Sequence, residues 1–149
     1  MRPWSSIVPM LVVAGLICPL QAQSKPEAEA MVKKAIAFAK AQGMDKALAE
    51  VSKPGGSFTK GELYVFVYDL NGVVKAHGQN PKLVGKDMLL MKDPDGVFYV
   101  KERIELANAK GKGWQNYKET NPATKKIEPK RAYIEKEDNY IFGSGFYRK

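Results

Sequence analysis

His77 is the only histidine of the chain, and it follows a stretch in which aromatic and aliphatic residues alternate: Leu63-Tyr64-Val65-Phe66-Val67-Tyr68-Asp69. Imidazole is the side chain whose charge changes near neutral pH. Aromatic rings supply apolar walls that exclude water, and tyrosine hydroxyls supply directed hydrogen-bond donors. Such a set suits recognition of a small polar or anionic molecule better than bond making or breaking. Tyr64, Phe66 and Trp114 are candidate walls, and Tyr117 and Tyr133 candidate donors. Each alone reads first as an ordinary core residue, so the inference rests on their joint pattern.

Other chemistries find little support. Cys18 is the single cysteine and lies in an apolar leader, so a disulfide, a thiol nucleophile and a cysteine-based metal site are excluded from the remainder. No Cys-x-x-Cys-His motif attaches a haem. Asp93-Pro94-Asp95-Gly96 lacks the further acidic ligands of a calcium loop and reads instead as the capped start of a helix. Gly143-Ser144-Gly145 is not a nucleophile elbow, which needs a longer motif and a downstream histidine. With no paired carboxylates at a spacing that suggests acid and base roles, we expect no enzyme activity, no metal and no cofactor. The net charge of +8 comes mostly from lysines spread along the chain, a solvated surface with a general attraction for anions rather than a nucleic-acid groove.

The elements that must hold these residues follow from periodicity. Between Pro26 and Val51, Ala28, Met31, Val32, Ala35, Ile36 and Ala39 recur at helical spacing, with a break near Gly43 and a short second helix carrying Ala47, Leu48 and Val51. The alternating stretch is a strand, with Tyr64, Phe66 and Tyr68 on one side and Leu63, Val65 and Val67 on the other. Asn71-Gly72 is expected to turn it into Val73–Gly78 through a two-residue type I′ turn. Val97, Val100, Ile104 and Ala107 mark a helix from Asp93 that Gly111 and Gly113 close. Three strands follow, over 113–118, 130–136 and 140–148, with a loop from Glu119 to Pro129. This order specifies an α+β domain with an antiparallel sheet.

Residues 1–22 begin with Arg2, run apolar from Ile7 to Leu20 and end in small or polar residues, the pattern of a cleaved secretory signal peptide. The run is interrupted by Pro9 and Pro19 and is short for ~30 Å of hydrocarbon, so a retained anchor is the lesser alternative. Residues 23–149 then form one domain.

Eight pieces in order carry a resemblance: Phe58-x-x-Gly61-Glu62-Leu63-Tyr64-Val65-Phe66-Val67-Tyr68-Asp69-Leu70-Asn71-Gly72, Ala76-His77, Asn80-Pro81-x-Leu83-x-Gly85-Lys86, Lys92-Asp93-x-Asp95-Gly96, Gly113-Trp114-x-x-Tyr117, Asn121-Pro122-x-Thr124, Pro129-Lys130-x-x-Tyr133 and Gly143-x-Gly145-x-Tyr147. Together they resemble a single Cache domain of the second type. The resemblance implies a PAS-like fold, a long N-terminal helix packed on a five-stranded antiparallel sheet whose concave face holds a small molecule. It also implies sensing of small organic acids or similar metabolites outside the cytoplasm. His77 falls where the family lines its cavity mouth, and Lys130 matches the family's basic position, with Arg131 pointing the other way in a regular strand. The family usually forms the outer part of a chemoreceptor or sensor kinase, whereas no apolar segment follows Tyr147, so a free-standing periplasmic module is expected.

Two functional expectations stand. One is an exported binding and sensing module for a small, anionic ligand, acting through a membrane receptor or sensor-kinase partner, with a homodimer possible. The other is a protein-interaction or structural module whose cavity is filled by its own side chains.

Overall fold

The computed structural model describes residues 24–148; the expected signal peptide lies outside the described residues. Helix α1 (Lys25–Gln42) buries Ala28, Val32, Ala35, Ile36 and Ala39, so small residues let its axis approach the sheet while Val32 and Ile36 each contribute about 2 kcal/mol of burial. Gly43, at φ 93, ends it, and α2 (Met44–Val51) adds Ala47 and Val51. Strands β1 (Thr59–Lys60), β2 (Leu63–Asp69) and β3 (Val74–His77) follow, then a 3-10 turn at Pro81–Leu83. Helix α3 (Tyr99–Lys110) leads into β4 (Lys112–Thr120), β5 (Ile127–Glu137) and β6 (Tyr140–Tyr147). All pairings are antiparallel, in the order β2-β6-β5-β4, with β3 and the two-residue β1 both on β2.

The sheet divides two cores. Under α1 and α2, Val65, Val67, Ala76, Tyr133 and Phe142 pack with Val32, Ile36 and Phe58. On the other face, Tyr64, Phe66, Tyr68, Tyr117, Ile134 and Ile141 pack with Tyr99, Val100 and Ile104 of α3. Strand alternation in β2 makes this division, as expected from its sequence.

Three local expectations are corrected. The hairpin after β2 is not a two-residue type I′ turn: Gly72 has φ 91 but Asn71 stays at negative φ. Asp69 closes a longer loop instead, its Oδ1 accepting from the amides of Asn71 and Val73 at 2.9 and 3.0 Å. Asp93 does not cap α3, which begins only at Tyr99 behind Phe98. Its Oδ1 accepts from the amides of Asp95 and Val97, and its Oδ2 from that of Lys118 at 3.0 Å, so it ties the preceding loop to β4. Finally, β4 and β5 pair as far as Thr120 and Ile127, placing Glu119 and Pro129 in strands rather than in a loop.

Gly143 faces Phe66 across the β2–β6 pair, and a Cβ there would collide with the ring. Because that ring is itself enclosed, Gly143→Ala is expected to cost about 1–3 kcal/mol, read as a lowered midpoint in thermal denaturation followed by circular dichroism.

Candidate functional site

Cross-strand register builds the site. Lys130 on β5 stands opposite Tyr117 on β4 and Tyr147 on β6, and all three point to the α3 side of the sheet with Tyr64 and Phe66 of β2. Lys130 is 0 % exposed. Its Nζ donates to Glu119 Oε2 at 2.7 Å and to Tyr64 Oη at 2.8 Å, and Tyr64 Oη donates in turn to Glu119 Oε2 at 3.1 Å. Rings surround the ammonium, with centroids of Tyr64 at 4.2 Å, Tyr147 at 5.1 Å and Phe66 at 5.6 Å. Such faces attract a desolvated cation.

A second cation enters from the helix. Arg103, 1 % exposed, places its guanidinium 4.2 Å from the Phe66 centroid, 4.8 Å from Tyr68 and 5.3 Å from Tyr117. Its Nε donates to Gln115 Oε1 at 2.7 Å, and Gln115 Nε2 donates to the carbonyl of Tyr99 at 3.0 Å. Arg103 and Lys130 thus share Phe66 and Tyr117, with Glu119 as the acid in contact with the lysine.

Burial pushes the Lys130 ammonium down and the nearby Glu119 carboxylate offsets this only in part. Burial alone would raise Glu119, but the charge and hydrogen bond of Lys130, with His77 and Arg103 behind it, hold it below the usual carboxylate range. Burial also lifts the phenols of Tyr64 and Tyr117 well above their ordinary value, which keeps them neutral. The geometry is that of an ion pair beside a guanidinium, two cations to one carboxylate on the α3 face of the sheet. Beside the cluster lies an opening of about 170 Å³ lined by Lys92, Asp93, Tyr99, Lys118, Glu119 and Thr120; it meets the cluster at Glu119 and Tyr99, and Lys130 and Arg103 lie behind its wall.

His77 lies at the edge of this cluster, its ring 4.9 Å from that of Tyr64. Its Nδ1 accepts from the backbone amides of Asn80 at 2.9 Å and Gln79 at 3.3 Å, so the neutral ring clamps the loop that follows β3.

Of the residues singled out from sequence, the structure brings together Tyr64, Phe66, His77, Tyr117 and Lys130. It does not bring Trp114 or Tyr133 to that face. They pair with each other across β4 and β5, three positions from the Tyr117–Lys130 pair, and because that number is odd alternation sends both to the α1 side. There their rings lie 5.4 Å apart, Arg131 sits over Trp114, and Tyr133 Oη donates to Glu135 Oε2 at 2.6 Å. Trp114 also borders an exposed groove of about 390 Å³ with Lys25, Pro26, Glu29, Ala30 and Lys33. Sequence reasoning missed Arg103, Glu119 and Gln115. For Arg103 a signal existed: it falls on the apolar stripe Val100, Ile104, Ala107, where a charge demands a partner.

An antiparallel sheet with a long helix on one face and a shielded polar cluster on the other defines an α+β sensor-domain architecture of the PAS-like kind. The chain belongs to the Cache domain family, whose model matches residues 27–149. Over 86 residues it is 34% identical to the methyl-accepting chemotaxis protein McpP of Pseudomonas putida and to the sensor histidine kinase MctS of Rhizobium johnstonii, 56% of this chain in each case. These matches span 16% and 18% of the two relatives. Among solved structures, a Cache chemosensory domain described for carboxylic acid recognition is 29% identical with a TM-score of 0.66, covering 83% of this chain and 88% of its own. A methyl-accepting chemotaxis protein from Vibrio parahaemolyticus shares the fold, with 22% identity, a TM-score of 0.72 and coverage of 83% and 87%.

Burial holds the His77 imidazole down at about 4 from 6.5, with the cations Lys130 and Arg103 adding to the effect and Glu119 opposing it. Because the folded value lies below the unfolded one, the unfolded chain binds the extra proton. His77's contribution to stability is therefore complete above about pH 6.5 and is lost as pH falls towards 4, roughly 3 kcal/mol in all. His77→Asn, whose Oδ1 accepts the same amides, is expected to flatten the melting temperature between these pH values; an unchanged slope would assign it to other groups.

Proposed function

We propose that this chain is the extracytoplasmic ligand-binding part of a sensory system, exported to the periplasm, and that its ligand is a small organic acid held on the α3 side of the sheet. The observation that carries this reading is a fully buried ammonium and a fully buried guanidinium on the same two rings, with one carboxylate in contact. Two desolvated cations and neutral tyrosine donors select for an anion, and a hydrogen bond to a charged group contributes about 1.5–3 kcal/mol in such surroundings. Membership of the Cache family, and the 29% identical domain described for carboxylic acid recognition, support the same ligand class.

The reading is one of recognition, not catalysis. His77, the natural general base, spends Nδ1 on two backbone amides. Lys130 and Arg103 provide charge, Tyr64 and Tyr117 donors and walls, and Phe66 the floor. The relatives McpP and MctS, a chemotaxis protein and a sensor kinase, indicate the kind of partner through which binding is passed on.

A thermal-shift screen of small carboxylates, with amines and sugars as controls, tests this. At about a hundredfold excess over Kd, at least one carboxylate is expected to raise the midpoint by about 5 °C or more. Lys130→Met is expected to abolish that response, whereas Trp114→Ala, on the α1 face, is expected to retain it. A flat panel, or loss of response in Trp114→Ala with Lys130→Met unaffected, overturns the assignment.

A further inference from the structure

Glu119 already makes the contacts that an incoming carboxylate would need. Its Oε2 accepts from Lys130 Nζ at 2.7 Å and from Tyr64 Oη at 3.1 Å, so one oxygen satisfies both donors. Lys130 has no exposed surface, whereas the Glu119 side chain is 26% exposed and forms part of the wall of the opening. It therefore stands between solvent and the ammonium. Its backbone lies next to the end of β4, a strand paired only with β5, where the side chain can turn without disturbing the sheet interior. Lys92 and Lys118 line the same opening with Asp93, Lys118 being held by Asp95 at 2.9 Å, so a carboxylate leaving Lys130 has the Lys92 ammonium on its path.

We propose that Glu119 is a resident carboxylate that the ligand displaces from Lys130 and Tyr64, and that this exchange makes it the specificity-determining residue of the site. The inference rests on the carboxylate reading given above. A neutral molecule that pushed Glu119 aside would leave Lys130 beside Arg103 without a counter-charge, an arrangement a water-poor interior penalises heavily. An anion with the planar, two-oxygen shape of Glu119 restores every contact it removes. Amides, sugars and amines are thus rejected by the same group that holds the site together.

Acetate, compared with chloride at equal ionic strength, is the probe. Glu119→Gln removes the resident charge and keeps the shape, so acetate is expected to bind this variant about tenfold more tightly than the wild type, the ratio that one charge-assisted hydrogen bond no longer displaced would give. The variant is also expected to melt below the wild type in chloride and to recover in acetate. Should Glu119→Gln not fold in chloride, its refolding yield in acetate reads the same contact, and Glu119→Asp, which keeps the charge on a shorter arm, is expected to bind acetate with intermediate affinity. Equal or weaker acetate binding by a folded Glu119→Gln protein, without rescue, overturns displacement while leaving a carboxylate-binding wild type intact. Silence of both proteins towards acetate and the wider carboxylate panel removes the functional reading itself.

Discussion

A buried ammonium governs this structure. Lys130 lies with no exposed surface among apolar rings, a position that an unpaired cation could not hold. Four strands converge to make it tolerable: β4 brings Glu119 and Tyr117, β2 brings Tyr64 and Phe66, β6 brings Tyr147, and β5 carries the lysine itself. The requirement also fixes register. A slip of one residue in β5 would turn Arg131 inward and Lys130 outward, exchanging a compact ammonium for a guanidinium that now lies beside Trp114 on the opposite face.

Much of this was legible in the chain, because period and alternation are local. The stripe of α1, the break at Gly43, the two faces of β2 and the opposite pointing of Lys130 and Arg131 all follow from spacing within one element, while the preference for Lys130 comes from the family resemblance. The same parity within a strand excludes part of the expected site. Trp114 and Tyr117 both looked like site residues, yet they are three positions apart in a strand and so must face opposite ways. The same rule puts Tyr133 opposite Lys130. Glu119 escaped for a different reason: a segment with prolines at 122 and 129 reads as a loop, while the pairing of β4 with β5 carries regular strand through to Thr120.

Asp93 and His77 show a second limit. Both are side chains with chemical potential, and both spend their acceptor atoms on backbone amides: Asp93 on Asp95, Val97 and Lys118, His77 on Gln79 and Asn80. The long connection between β3 and α3 has little regular structure of its own, so its amides need such acceptors. That connection leads into Tyr99, which packs on the α3 face of the sheet, stacked 5.0 Å from Tyr117. Both side chains therefore serve the loop that they hold.

Arg103 gives the site its dependence on tertiary structure. It comes from a helix, Lys130 from a strand, and the two share the rings of Phe66 and Tyr117. Neither cation has its full surroundings unless α3 is seated on the sheet. Like charges this close repel, and the rings with Glu119 offset the repulsion in part. The charge balance of this face is therefore tied to the seating of one helix: α3 delivers the second buried cation to rings that already hold Lys130, and Glu119 is the acid in contact with the lysine there.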